Sequence, residues 1–145
     1  MKNIFLSMIV IGLAVGGCKK SYPGDTYDFT NSKAAYVEFP APKKAIVATQ
    51  GSTLSVVVQM RTALTEDVSA NYSITGTTAV IAGTIVIPRN TVKATGSIVL
   101  PTGIVAAGST VKAQLKLVSA NKGADILRVG FNDPSTEVIA LTINP

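Results

Sequence analysis

Two stretches of the chain alternate apolar and polar residues with a period of two, and this pattern constrains the fold more than any other feature. In Leu54-Ser55-Val56-Val57-Val58-Gln59-Met60-Arg61, Leu54, Val56, Val58 and Met60 share one face, while Ser55, Gln59 and Arg61 take the other. Val111-Lys112-Ala113-Gln114-Leu115-Lys116-Leu117 alternates without a fault. Successive side chains of a strand point to opposite faces, so each stretch reads as a strand with one face buried and one in water.

Further strands are predicted at Ala35–Phe39, Ala45–Thr49, Val68–Thr75, Thr78–Ile81, Thr84–Ile87, Ala94–Leu100 and Thr136–Ile143. They are rich in Val, Ile and Thr, which suit a pleated surface. Gly51, Gly76, Gly83, Gly103, Gly108 and Gly123, with Pro42, Pro88, Pro101 and Pro134, read as the turns between them. Asn132-Asp133-Pro134 reads as an Asx-type turn before the last strand, and Glu66-Asp67 as a turn cap. Ile85-Val86-Ile87-Pro88 and Ile98-Val99-Leu100-Pro101 each end at a Pro, which lacks the ladder N–H. These two strands are expected to be neighbours joined by a turn through Arg89–Lys93. Such a succession of short strands predicts an all-β fold over residues 34–145, an antiparallel two-sheet sandwich of immunoglobulin-like kind. The Cys…Trp…Cys signature of immunoglobulin domains is absent, so the core is expected to be aliphatic.

The N-terminus follows different rules. Lys2 precedes an uncharged apolar run from Ile4 to Val15, then Gly16-Gly17 and Cys18. A charged start, a short apolar core and a small-residue zone make a cleavable secretory signal over residues 1–17. The run is too short for the ~20 residues of a membrane-spanning helix. Val15-Gly16-Gly17-Cys18 resembles a bacterial lipobox, which implies a mature chain starting at Cys18 and anchored by acyl chains on its thiol. Residues 18–33 are polar and turn-rich, a flexible tether. The expected location is the outer membrane, on its periplasmic face or the cell surface.

At 145 residues the chain has room for one domain of ordinary size. It has no His, no Trp and a single Cys. Those zeros exclude His-based triads, His-containing metal sites and an intrachain disulfide. The charge is 13 − 8 = +5, scattered as isolated Lys and Arg apart from Lys19-Lys20 and Lys43-Lys44. No basic stripe interleaves with aromatics, so nucleic acid is not an expected partner. The acids are Asp25, Asp28, Glu38, Glu66, Asp67, Asp125, Asp133 and Glu137, none within a recognisable catalytic or calcium-loop motif. No phosphate loop, nucleophile elbow or dinucleotide fingerprint occurs, and no cofactor or metal is expected. Tyr36, Phe39, Tyr72 and Phe131 fall in strand patterns where core packing is the default. That leaves Tyr22 and Tyr27 as the candidates for ligand contact.

Asn71-Tyr72-Ser73-Ile74, then Gly83-Thr84-Ile85-Val86-Ile87-Pro88, then Ala113-Gln114-Leu115-Lys116-Leu117-Val118, form a recurring order of strand patterns. Ser119-Ala120-Asn121, Ile126, Gly130 and Val138–Ile143 complete it. This arrangement resembles the adhesin-like, Calx-beta or immunoglobulin-like N-terminal domains of Bacteroidetes-type lipoproteins. The resemblance implies a module linked to glycan or nutrient acquisition. Calx-beta domains bind calcium through acidic loop clusters, but the corresponding Leu100–Thr110 contains no acid. The expected function is therefore a non-catalytic binding or scaffolding module of the cell envelope, with a glycan or an envelope protein as partner. Two alternatives stand beside it: an adhesin or structural subunit pairing through a strand edge, and a two-carboxylate hydrolase.

Overall fold

A computed structural model describes residues 35–41, 44–131 and 133–145, all within the unit Lys33–Pro145. Nine strands occur among them: β1 (Tyr36–Glu38), β2 (Ile46–Thr49), β3 (Thr53–Met60), β4 (Val68–Thr75), β5 (Ile81–Ile87), β6 (Lys93–Val99), β7 (Val111–Lys122), β8 (Asp125–Val129) and β9 (Val138–Asn144). A 3-10 turn, Pro134–Glu137, leads into β9, and the Asp133 carboxylate caps it by accepting from the Ser135 N–H. The Asx reading of this corner holds.

The strands form two layers. One runs β2-β9-β7-β4-β5 and the other β8-β1-β3-β6. β8 also pairs with the end of β7, so the layers are continuous at that corner. The fold is the expected all-β sandwich, with one difference. β1 runs parallel to β8 and β2 parallel to β9, so the sheets are mixed and not purely antiparallel. The N-terminal stretch is shared between layers, breaking after Glu38 at Phe39-Pro40 and resuming at Ile46. Proline cannot donate to a ladder, which lets the chain leave one sheet and enter the other.

Alternation decides which side chains meet between the layers. Leu54, Val56, Val58 and Met60 of β3 are all buried, as the period-two pattern requires. They face Ala113, Leu115 and Leu117 of β7 and Ile139, Leu141 and Ile143 of β9 within one cluster. Val118 is an extra residue on β7: Asn71 pairs with Ser119 but Tyr72 with Leu117. The bulge shifts the inward set, so Ala120 and not Ser119 is buried beyond it.

Three local expectations are corrected. Thr78–Ile81 is not a strand, since residues 78–80 lie in the connection before β5, and β5 runs from Ile81 to Ile87 without a break because Gly83 is no turn. It pairs with Tyr72 inside the β4–β5 ladder, and the Tyr72 phenol lies where a Cβ on Gly83 would sit. A glycine that receives an aromatic ring from the neighbouring strand stays extended. Next, β5 and β6 are not ladder neighbours; β5 pairs with β4 and β6 with β3. Pro88 and the turn through Asn90, whose φ is 60°, carry the chain from one layer to the other. Ile85 then packs across the gap onto Gly96. Finally, the last strand starts at Val138, since Pro134–Glu137 form the 3-10 turn. β8 escapes sequence reading for a physical reason: Asp125-Ile126-Leu127-Arg128-Val129 has no clean inward face, and Ile126 is 83% exposed.

Candidate functional site

Functional groups on a sandwich can gather at either end, in the loops, or on an outer sheet face. At one end the β3–β4 loop, the β5–β6 turn and the β7–β8 turn converge on a shallow depression lined by Thr65, Glu66, Asp67, Arg89 and Gly123. Asp67 Oδ1 accepts from the Arg89 backbone N–H at 2.8 Å. The expected turn cap is therefore real, but it closes the neighbouring turn. Lys122 Nζ lies 3.1 Å from Asp125 Oδ2. The hydrogen bond and charge of Asp125, with the charge of Glu66, hold Lys122 above its ordinary pKa. A raised lysine stabilises the fold below the pKa of the unfolded side chain and stops doing so as pH rises through the folded value. The pair is open to water, so that contribution is small.

Asp125 thus pairs with Lys122 directly, while Glu66 acts on the same cation through its charge. Both are exposed, as is Asp67. A glycosidase acid needs burial to keep its proton at neutral pH, and no charged or polar side chain among the described residues is buried. The remaining described acids have local duties. Glu38 accepts from Gln59 Nε2 at 3.0 Å, Asp133 caps the 3-10 turn, and Glu137 packs beside Gly130.

The opposite end is built from Gln50–Ser52, Gly76–Val80 and Leu100–Thr110, none of which contains an acid. Gln50 Oε1 accepts from the Val105 N–H at 3.1 Å, and Ile104 and Val105 are buried, so this loop is packed down. No group of three or more Cys, Asp or Glu that could hold a metal occurs among the described residues. Titration with Ca²⁺ is expected to leave the thermal midpoint unchanged. An upward shift of several degrees at millimolar Ca²⁺ would show a site that these loops do not display.

The outer face of the β4–β5–β7 layer carries a polar ladder. Asn71 Nδ2 donates to Ser119 Oγ at 2.9 Å, and Thr84 Oγ1 donates to Asn71 Oδ1 at 2.7 Å. Beside it lies a second depression, lined by Asn71, Tyr72, Ser73, Ala82, Gly83, Thr84 and Val118. Small side chains at Ser73 and Ala82 make the hollow, and the bulge residue Val118, 58% exposed, forms its apolar wall. Motif reading missed this surface because Asn, Ser and Thr on a wet strand face carry no signature. The signal available was the absence of charge, since no Asp, Glu, Lys or Arg occurs from Val68 to Pro88.

The sequence-predicted site residues Cys18, Tyr22 and Tyr27 lie outside the described residues, as do the signal 1–17 and the tether 18–33. Of the other rings, Phe39 is buried and Tyr36, Tyr72 and Phe131 are half-buried, with Tyr36 and Phe131 in contact at 5.0 Å.

No family model and no curated protein matches the chain. Solved structures do. The crystal structure of the apo form of the Calx CBD1 domain is similar at a TM-score of 0.53 and 13% identity, over 77% of this chain and 97% of that one. The calcium binding domain CBD12 of CALX1.1 is similar at a TM-score of 0.50 and 14% identity, over 77% of this chain and 44% of that one. At such identities the likeness is one of fold, a Calx-beta-like sandwich.

Proposed function

We propose that this protein is a non-catalytic binding or scaffolding module of the cell envelope, held at the outer membrane through lipid on Cys18. The observation that carries the reading is the burial pattern: the described core is wholly apolar, and every described acid lies outside it. Among the described residues, polar and charged groups are therefore offered on surfaces and not in a desolvated pocket. Its neighbours in fold include a calcium binding domain, but the acid-free loops argue against calcium as the ligand here.

The favoured partner is an envelope protein and not a glycan. Sugar rings stack on free aromatic faces, and none of the described rings is exposed. The lipobox-like Val15-Gly16-Gly17-Cys18 supports the anchor, and no described helix is long and apolar enough to cross a bilayer. Cys18→Ser is expected to move the protein from the membrane to the soluble fraction, because acyl chains supply the membrane affinity. A Ser variant that stays wholly with membranes through a carbonate wash would sink the anchor.

A further inference from the structure

We infer that β5 is an assembly edge, and that its occupant is β5 of a second copy, paired antiparallel about Thr84. This deepens the scaffolding reading above, but the observations behind it do not depend on lipid at Cys18.

Among the described residues three strands have a neighbour on one side only: β2, β5 and β6. An open edge exposes unpaired N–H and C=O groups and templates further strands unless it is short or charged. β2 has four residues and follows Lys43-Lys44, while β6 carries Lys93. β5, Ile81-Ala82-Gly83-Thr84-Ile85-Val86-Ile87, is seven residues long with neither charge nor proline. Its neighbour β4 is uncharged too, so two copies meeting here bring no like charges together.

Symmetry then fixes the register. Two antiparallel neighbours related by a two-fold normal to the sheet keep their faces aligned, so paired residue numbers add to an even total. Centring on Thr84 pairs the entire strand: Ile81 with Ile87, Ala82 with Val86, Gly83 with Ile85, and Thr84 with itself. Val86 is 49% exposed on the outer face. In this register it stands opposite Ala82, with side chains about 5 Å apart. Ala82 lines the outer depression with Ser73 and Val118. Each copy thus presents an apolar knob at Val86 and a hollow at Ala82, spaced so that two copies satisfy one another. An unrelated peptide has no reason to match that spacing; a second copy matches it by symmetry.

The test is sedimentation velocity on the full chain carrying Cys18→Ser, purified without membrane. Twice the monomer mass is expected at high concentration. Val86→Lys, at an exposed position, should return the species to monomer with an unchanged far-ultraviolet spectrum. Thr84→Cys should form a disulfide-linked dimer under mild oxidation, since directly opposed residues have Cα atoms ~4.5–5.5 Å apart, within disulfide range. Ser69→Cys, on the same face but one strand inward, should not. A protein that sediments as monomer at every concentration overturns the inference, as does a dimer that survives Val86→Lys or a Thr84→Cys chain that does not cross-link. Membrane anchoring plays no part in this measurement, so failure here leaves the Cys18 reading standing, and failure of that reading leaves this one intact.

Discussion

Val58→Asp is expected to abolish cooperative folding. Val58 has no exposed surface and sits mid-strand in β3 between buried Val56 and Met60. With no charged or polar side chain buried among the described residues, the core supplies no partner for a carboxylate. Burying an unpaired polar group costs several kcal/mol, comparable with the whole ~5–15 kcal/mol stability of a small domain. The control lies one residue away. Val57 is 37% exposed on the opposite face, and Val57→Asp should change stability by no more than ~0.5 kcal/mol, as surface changes do. Circular dichroism melts of both variants read the contrast. A sigmoidal melt of Val58→Asp near the wild-type midpoint would mean that β3 does not bury the face assigned to it.

The second large effect is expected at Gly96. This residue lies on β6 opposite Val56, with its inward side against Ile85 of the other layer. A Cβ added there would stand 2.4 Å from Ile85 Cγ1 and 2.5 Å from Cδ1. Ile85 is 4% exposed and branched at Cβ, so it cannot swing aside cheaply. Overpacking of this kind costs ~1–3 kcal/mol, or roughly 4–8 °C in midpoint per kcal/mol for a domain near this size. Gly96→Ala should therefore melt well below the wild type. Ile85→Ala deletes both crowded atoms and leaves a hole of its own. Combined, the two substitutions should cost less than their sum by ~1 kcal/mol or more, the coupling expected of residues in contact. Simple additivity would contradict the facing of β5 and β6 across the core.

How much of this was legible beforehand depends on how strictly a strand alternates. β3 and the first half of β7 could be read residue by residue, because one wet and one dry face leave a period-two trace. β8 left none, since it closes the corner between layers and shows no continuous dry face. The run of β5 back from Thr84 to Ile81 turned on Gly83, whose meaning lies in the Tyr72 ring above it. Ladder order was likewise hidden: the paired apolar runs ending at Pro88 and Pro101 look alike because each borders the same core, yet they do so from opposite layers. Parallel pairing of β1 and β2 depends on contacts roughly 90 residues apart in sequence, which no local pattern encodes. The surface followed the same rule. Histidine-based catalysis could be excluded by counting residues, whereas an uncharged edge becomes visible only once β5 is known to lack a second neighbour.

We propose that the mature chain begins at Cys18 and carries lipid there, which would make the sandwich a membrane-held module. The most direct measurement is the intact mass of the protein extracted from membranes with detergent, together with the mass of its N-terminal peptide. The predicted result is a chain lacking residues 1–17 whose Cys18 bears the added mass of diacylglycerol, with or without a further acyl chain. A chain that keeps residues 1–17, or is cut elsewhere and leaves Cys18 as an unmodified thiol, would contradict it.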